Sequence, residues 1–181
     1  MVGTLFKWGK PNIDFYDMFS LITSLCFAAY FYSLLLSPWM KKTVITIYTL
    51  QTLYFIIYHW IIRNESVFDS MGNVILSTGM VIMVFMFLYQ ILTNITEESL
   101  SANFDFWFVS AQLVYFLGSF IIFLTFSYFT RKILPVELYS NENRDVLTKL
   151  WGVHNVLLFL SSLLTLGSVA WITFRKKSSL L

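Results

Sequence analysis

Charge is the scarcest property of this chain. Asp, Glu, Lys and Arg make up 12% of its 181 residues, about half the quarter that soluble domains carry. Every one of them falls outside five stretches, 18–40, 43–62, 70–96, 106–130 and 150–174. No Lys lies within these stretches, which excludes a retinal Schiff base. No Asp or Glu lies within them, which excludes a carboxylate proton relay and an aspartyl intramembrane protease. The absence of an Arg series excludes a voltage sensor. HExxH, Walker A, GxGxxG and CxxC are all missing, and with them the common hydrolase, nucleotide and redox motifs. Two histidines are too few for a transmembrane two-haem cytochrome, which needs four. The single cysteine, Cys26, can form no internal disulfide and reads as a small buried hydrophobe.

Apolar and aromatic side chains fill the space that charge leaves. Hydrophobic residues are 57% of the chain, aromatics 19%, and mean hydropathy is +0.71. This composition excludes a nucleic-acid binder, a disordered chain and an ordinary soluble enzyme, and it predicts an integral membrane protein. A helix needs about 20 apolar residues to cross a hydrocarbon core of roughly 30 Å, and the charge-free stretches hold 23, 20, 27, 25 and 25 residues. Barrel strands would be shorter and strictly alternating, whereas runs such as 81–89 and 120–126 do not alternate. The expected fold is therefore all-α: one polytopic transmembrane helix bundle over 1–181, with five spans near 18–36, 44–62, 74–92, 106–129 and 151–174. Trp39, Trp60, Trp107, Trp151 and Trp171 lie near span boundaries, as an interfacial aromatic belt would.

The first span reads as a retained helix rather than a cleaved signal. Asp14 and Asp17 directly precede it, it is longer than a signal's apolar region, and no small-residue cleavage site follows. The connections, 37–43, 63–73, 93–105 and 130–150, are short. Pro38 and Pro135 are expected outside helices, where proline is least costly. Five spans put the termini on opposite sides. Seven Lys and Arg (Lys7, Lys10, Arg63, Arg131, Lys132, Arg144, Lys149) fall on the N-terminal side and five (Lys41, Lys42, Arg175, Lys176, Lys177) on the other. That distribution places the N-terminus inside. Its near-balance also suits a subunit oriented by a partner.

Polar residues inside a membrane usually face the bundle interior and mark function. His59, near the end of span two, and His154, near the start of span five, share one leaflet, with Asn155 beside the latter. Two imidazoles could hold one haem or a quinone; interfacial histidines bonded to neighbours are the plainer account. On span four, Gln112, Tyr115 and Ser119 share one helical face. Gln51 and Gln90 are expected at depths where Gln112 can meet them. Such amides either line a solute path or join helices by hydrogen bonds. Met80, Met83 and Met86 could offer thioethers to copper or fill the core. His154, Ser161, Thr165 and Ser168 form a stripe of the kind that packs helices together.

Phe106-Trp107, Tyr115-Phe116 with Gly118, and Leu150-Trp151 with His154-Asn155 resemble a family of small bacterial multi-pass membrane proteins, sometimes encoded beside sensor histidine kinases. The resemblance covers spans two to five. It implies a bacterial inner (plasma) membrane location and a signalling partner, and no activity, cofactor or catalytic residue.

The first functional expectation is a non-enzymatic membrane subunit acting through helix contacts in the bilayer, as a signalling or assembly partner. Its partners would be lipid and another membrane protein or a second copy, with no nucleic acid. The second is an oligomeric channel or small-solute carrier with Gln51, Gln90 and Gln112 on the path. The third is a single-haem or quinone protein using His59 and His154. No metal site is expected, and the residues leave the cofactor unknown.

Overall fold

A computed structural model describes residues 13–58, 61, 70–94, 100, 103–132 and 141–178. Among them the fold is all-α, with no strand. Five helices follow in order: α1 (Ile13–Leu34), α2 (Pro38–Ile57), α3 (Ser70–Thr93), α4 (Phe104–Lys132) and α5 (Asn141–Ser178). Three contain segments long and apolar enough to cross a membrane, Ser70–Thr93, Phe104–Tyr128 and Asp145–Trp171. α1 contributes a shorter apolar segment, Met18–Leu34. In α2, every 18-residue window of the helix as described includes Lys41 and Lys42, which lowers its hydropathy.

All five helices start before the expected span boundaries, and the second and fifth depart furthest, for physical reasons. The second helix begins at Pro38, six residues before the expected start, so Pro38 opens a helix instead of lying outside one. Ser37 is extended (ψ 132°) and Pro38 takes the first helical position, where a missing N–H costs nothing and its fixed φ suits the helix. The fifth helix has 38 residues, about 57 Å at 1.5 Å per residue. It therefore outruns a hydrocarbon core of roughly 30 Å. Its first turns carry Arg144, Asp145 and Lys149 and precede the apolar stretch. Pro135 lies outside the described residues.

α1, α2 and α3 pack against one another, α4 packs along α3, and α5 packs along α4. α3 is the central helix: 56% of its membrane-length window is buried, against 33% for α4 and 17% for α5. Met80, Met83 and Met86 all point into this core, where flexible thioethers fill irregular gaps. Aromatic rings tie α1 to α4. Phe27 meets Phe116 edge-on at 5.5 Å, and Tyr30 meets Phe108 edge-on at 5.1 Å. Among the described residues no group of three or more His, Cys, Asp or Glu is placed to hold a metal.

Candidate functional site

Three separate groups of buried polar side chains each join particular helices. The first centres on Gln51 of α2. Ser24 of α1 donates a hydrogen bond to its Oε1, while its Nε2 reaches the carbonyls of Ile75 (3.3 Å) and Leu76 (3.4 Å) on α3. One amide thus links three helices. It fits because Gly79 of α3 has no side chain: a Cβ there would collide with Gln51 Nε2 and lie 2.6 Å from Ile47 Cγ2. A small cavity of about 40 Å³ opens beside it, bordered by Ser20, Ser24, Tyr54 and Asn73. That is room for ordered water. Ser20 Oγ and Asn73 Oδ1 lie 3.4 Å apart across it.

The second group is the Gln90 cap. The last carbonyls of a helix have no intrahelical donor. Gln90 Nε2 donates to the Leu34 carbonyl at the end of α1 (3.2 Å), and its Oε1 accepts the Leu36 N–H (2.7 Å). The amide therefore completes the tight turn between α1 and α2. Near the same end of the bundle, Tyr30 of α1 donates to Asp105 Oδ1 in the first turn of α4 (2.8 Å). An acid there also faces the positive end of the α4 dipole. Asn103 accepts the Phe106 N–H (3.2 Å) and caps the same helix. The Tyr30–Asp105 pair was not anticipated from sequence. The only signal for it was a lone acid at the border of an apolar stretch.

The third group is the only one that gathers several expected site residues. His154 of α5 is buried, with Nδ1 3.2 Å from Ser119 Oγ and Nε2 3.4 Å from Tyr115 Oη. Whichever nitrogen carries the proton, both hydroxyls can answer it, because each can donate or accept. The rings of Phe123, Trp151 and Tyr115 surround the imidazole at 4.9, 5.3 and 5.4 Å. One turn away Gly118 lets α5 approach α4, since a Cβ at 118 would strike Leu157. Below His154, Ser161 and Ser168 are also buried. They recur every seven residues and form the stripe that α5 turns towards α4.

The remaining expected residues are dispersed. Gln51 and Gln90 do not share a depth. Gln51 bonds the carbonyl of Leu76, and Gln90 follows 14 residues later on the same helix, about 21 Å along its axis. Gln112 is half-buried on α4 and takes no part in the bonds of either amide. Asn155 is exposed although its neighbour His154 is buried. His59 lies outside the described residues, so its pairing with His154 is not described. No family model, no curated protein and no solved structure matches the chain.

Proposed function

We propose that the chain is a five-span integral membrane subunit, without chemistry of its own, that docks one flank of α5 against a helix of another membrane protein. The observation that carries this reading is Asn155. Its side chain is exposed, five residues inside the charge-free stretch 150–174. An amide facing hydrocarbon lacks the hydrogen-bond partners that water would supply, and a neighbouring helix can supply them. Residues 152, 155, 159, 162 and 166 are separated by three, four, three and four positions, the spacing of a helix–helix seam. All five, Gly152, Asn155, Phe159, Ser162 and Leu166, are exposed. A Cβ at Gly152 would meet nothing within 4 Å, so a partner backbone can approach closely there.

The channel and haem alternatives ask the same residues to abandon bonds. A solute path would need Gln51 and Gln90 to release their backbone partners. An iron ligand at His154 would displace Ser119 or Tyr115. The count of five spans rests on the charge-free stretches. An N-terminus inside rests on the seven-to-five distribution of Lys and Arg. A bacterial inner membrane and a signalling or assembly partner rest on the family resemblance.

The test is a photo-crosslinking side chain at position 159, activated in the native membrane. The expected product is an adduct with a different membrane protein that Asn155→Leu abolishes. No protein adduct, or one indifferent to Asn155→Leu, sinks the reading. An adduct with a second copy alone moves it to self-association and revives the channel alternative.

A further inference from the structure

Ser20 and Ser24 of α1, Gln51 and Tyr54 of α2 and Asn73 of α3 border one small cavity. We propose that this cavity binds a monovalent alkali cation through the side-chain oxygens of Ser20, Ser24 and Gln51, with Asn73 alongside.

The protons of Ser20, Ser24 and Gln51 are spent on neighbouring oxygens. Ser20 donates to Asn73 Oδ1 (3.4 Å), and Ser24 donates to Gln51 Oε1. The Gln51 amide has one workable orientation. Its α3 neighbours are the carbonyls of Ile75 and Leu76, which only accept, so Nε2 faces them and Oε1 faces Ser24. A hydroxyl that donates keeps its lone pairs, and an amide oxygen that accepts one bond keeps a second. Ser20 Oγ, Ser24 Oγ and Gln51 Oε1 can therefore accept again without giving up a bond. Two of the three belong to buried residues, Ser24 and Gln51.

That set of atoms selects its ligand by charge. An anion needs donors, and those of Ser20, Ser24 and Gln51 are taken. Calcium and magnesium draw on carboxylates, and transition metals on imidazole or thiolate. Among the described residues none of these groups borders the cavity. Neutral oxygens can replace the hydration shell of a singly charged ion, as carbonyls do in potassium filters. The helix ends do not decide the sign. Tyr54 and Phe55 lie in the last turn of α2, whose dipole favours a cation, and Asn73 lies in the first turn of α3, whose dipole opposes one.

Size and depth agree with an ion. The cavity holds about 40 Å³, and one water needs roughly 10–15 Å³. An ion fits with one or two waters and keeps part of its shell. Ser20 is the third residue of the charge-free stretch 18–40, and Asn73 the fourth of 70–96. The cavity thus begins near the aqueous boundary, and Ser24 lies about 6 Å deeper along α1. No residue of α5 borders it among those described, so it fills with or without a docked partner.

The full-length protein in detergent is unfolded by heat in sodium, potassium or choline chloride at equal ionic strength, with helical signal as the readout. Choline is too large for the cavity. At ten times its dissociation constant, sodium or potassium is expected to raise the midpoint by about 4 °C over choline, and further with the logarithm of concentration. The ion that acts at the lower concentration is the one the cavity holds. Ser20→Ala and Ser24→Ala each remove one oxygen, and each should raise the concentration needed about tenfold. Every variant is compared with itself in choline, so a lower basal stability does not enter. Ser20→Ala removes only one long contact and decides the matter alone if Ser24→Ala does not fold. Ser119→Ala, in the His154 group, keeps the full rise. Equal midpoints in the three salts overturn the proposal and leave the cavity to water. A rise that either cavity variant leaves untouched overturns it, because the ion then sits elsewhere. A rise that Ser119→Ala weakens as much as they do overturns it too.

Discussion

The amide of Gln51 occupies the space that Gly79 leaves empty on the facing helix. The two residues form a lock: the amide bonds α3 carbonyls only because no Cβ stands in its way. Gly79→Val is expected to push α2 away from α3 and cost about 1–3 kcal/mol, the range for overpacking. Unfolding of the purified protein in detergent, followed as loss of helical signal, measures it. Gln51→Ala should relieve part of the clash, so the double variant loses less than the two single losses added. Strict additivity would show that the two side chains do not meet.

At the α1–α2 turn the expected loss has a different origin. Gln90→Leu removes one side chain and leaves two backbone groups, the Leu36 N–H and the Leu34 carbonyl, without their partner. Fully buried unsatisfied groups cost about 1–3 kcal/mol each, and because both of these bonds are part-buried the loss should lie at or below the lower end of that range. The variant should show faster hydrogen exchange at Leu36 than at residues in the middle of α3. Unchanged exchange at Leu36 would mean that the cap is not formed.

Replacing His154 with Phe keeps a ring among Phe123, Trp151 and Tyr115 while removing both hydrogen bonds. Each interhelical bond in a membrane is worth about 0.6 kcal/mol on average, so a loss near 1 kcal/mol is expected. Coupling to Ser119→Ala in a double-variant cycle should recover the Ser119 share. A coupling of zero would dissociate the 3.2 Å contact from stability. If His154 instead carries a haem or metal in its native membrane, the unaltered protein will be coloured or metal-bound and the Phe variant will not.

Cys26, the only cysteine, was expected to be buried but is exposed on the first apolar helix, because a helix that faces lipid can present an apolar thiol outward as readily as inward. Thiols react as thiolates, which form in water and not in hydrocarbon. In intact membranes Cys26 should therefore resist a charged maleimide that labels it readily after denaturation. Rapid labelling of the folded protein in the bilayer would contradict a first span over this segment.

The Tyr30–Asp105 bond predicts that Tyr30→Phe and Asp105→Asn destabilise the junction of α1 and α4 by similar small amounts, near 1 kcal/mol. Combining them should add little to either alone. Clear additivity in thermal unfolding would show that the 2.8 Å contact carries no energy.

The residues that sequence placed correctly are those related by one helix's own geometry. Charge-free stretches predict helices because an unpaired charge in hydrocarbon is costly at any register. Tyr115 and Ser119 share a face because the turn per residue is constant, and the structure seats both on His154. The same constancy lets neighbours diverge: the 100° step from His154 to Asn155 carries one side chain inward and the other outward. What sequence misjudged were distances between helices. Gln51 and Gln90 were expected at depths where Gln112 can meet them, and the structure has the two serving separate junctions about 21 Å apart along α3. Hydropathy says that a helix lies in the membrane and nothing about how far it slides along its neighbour. That register is set by local fits such as Gln51 against Gly79 and Leu157 against Gly118, which exist only once the helices are side by side. The sequence by itself thus determined a helical, apolar, membrane-compatible chain. The tertiary structure alone decided which amides hold the bundle together and that Asn155, beside a buried histidine, faces outward.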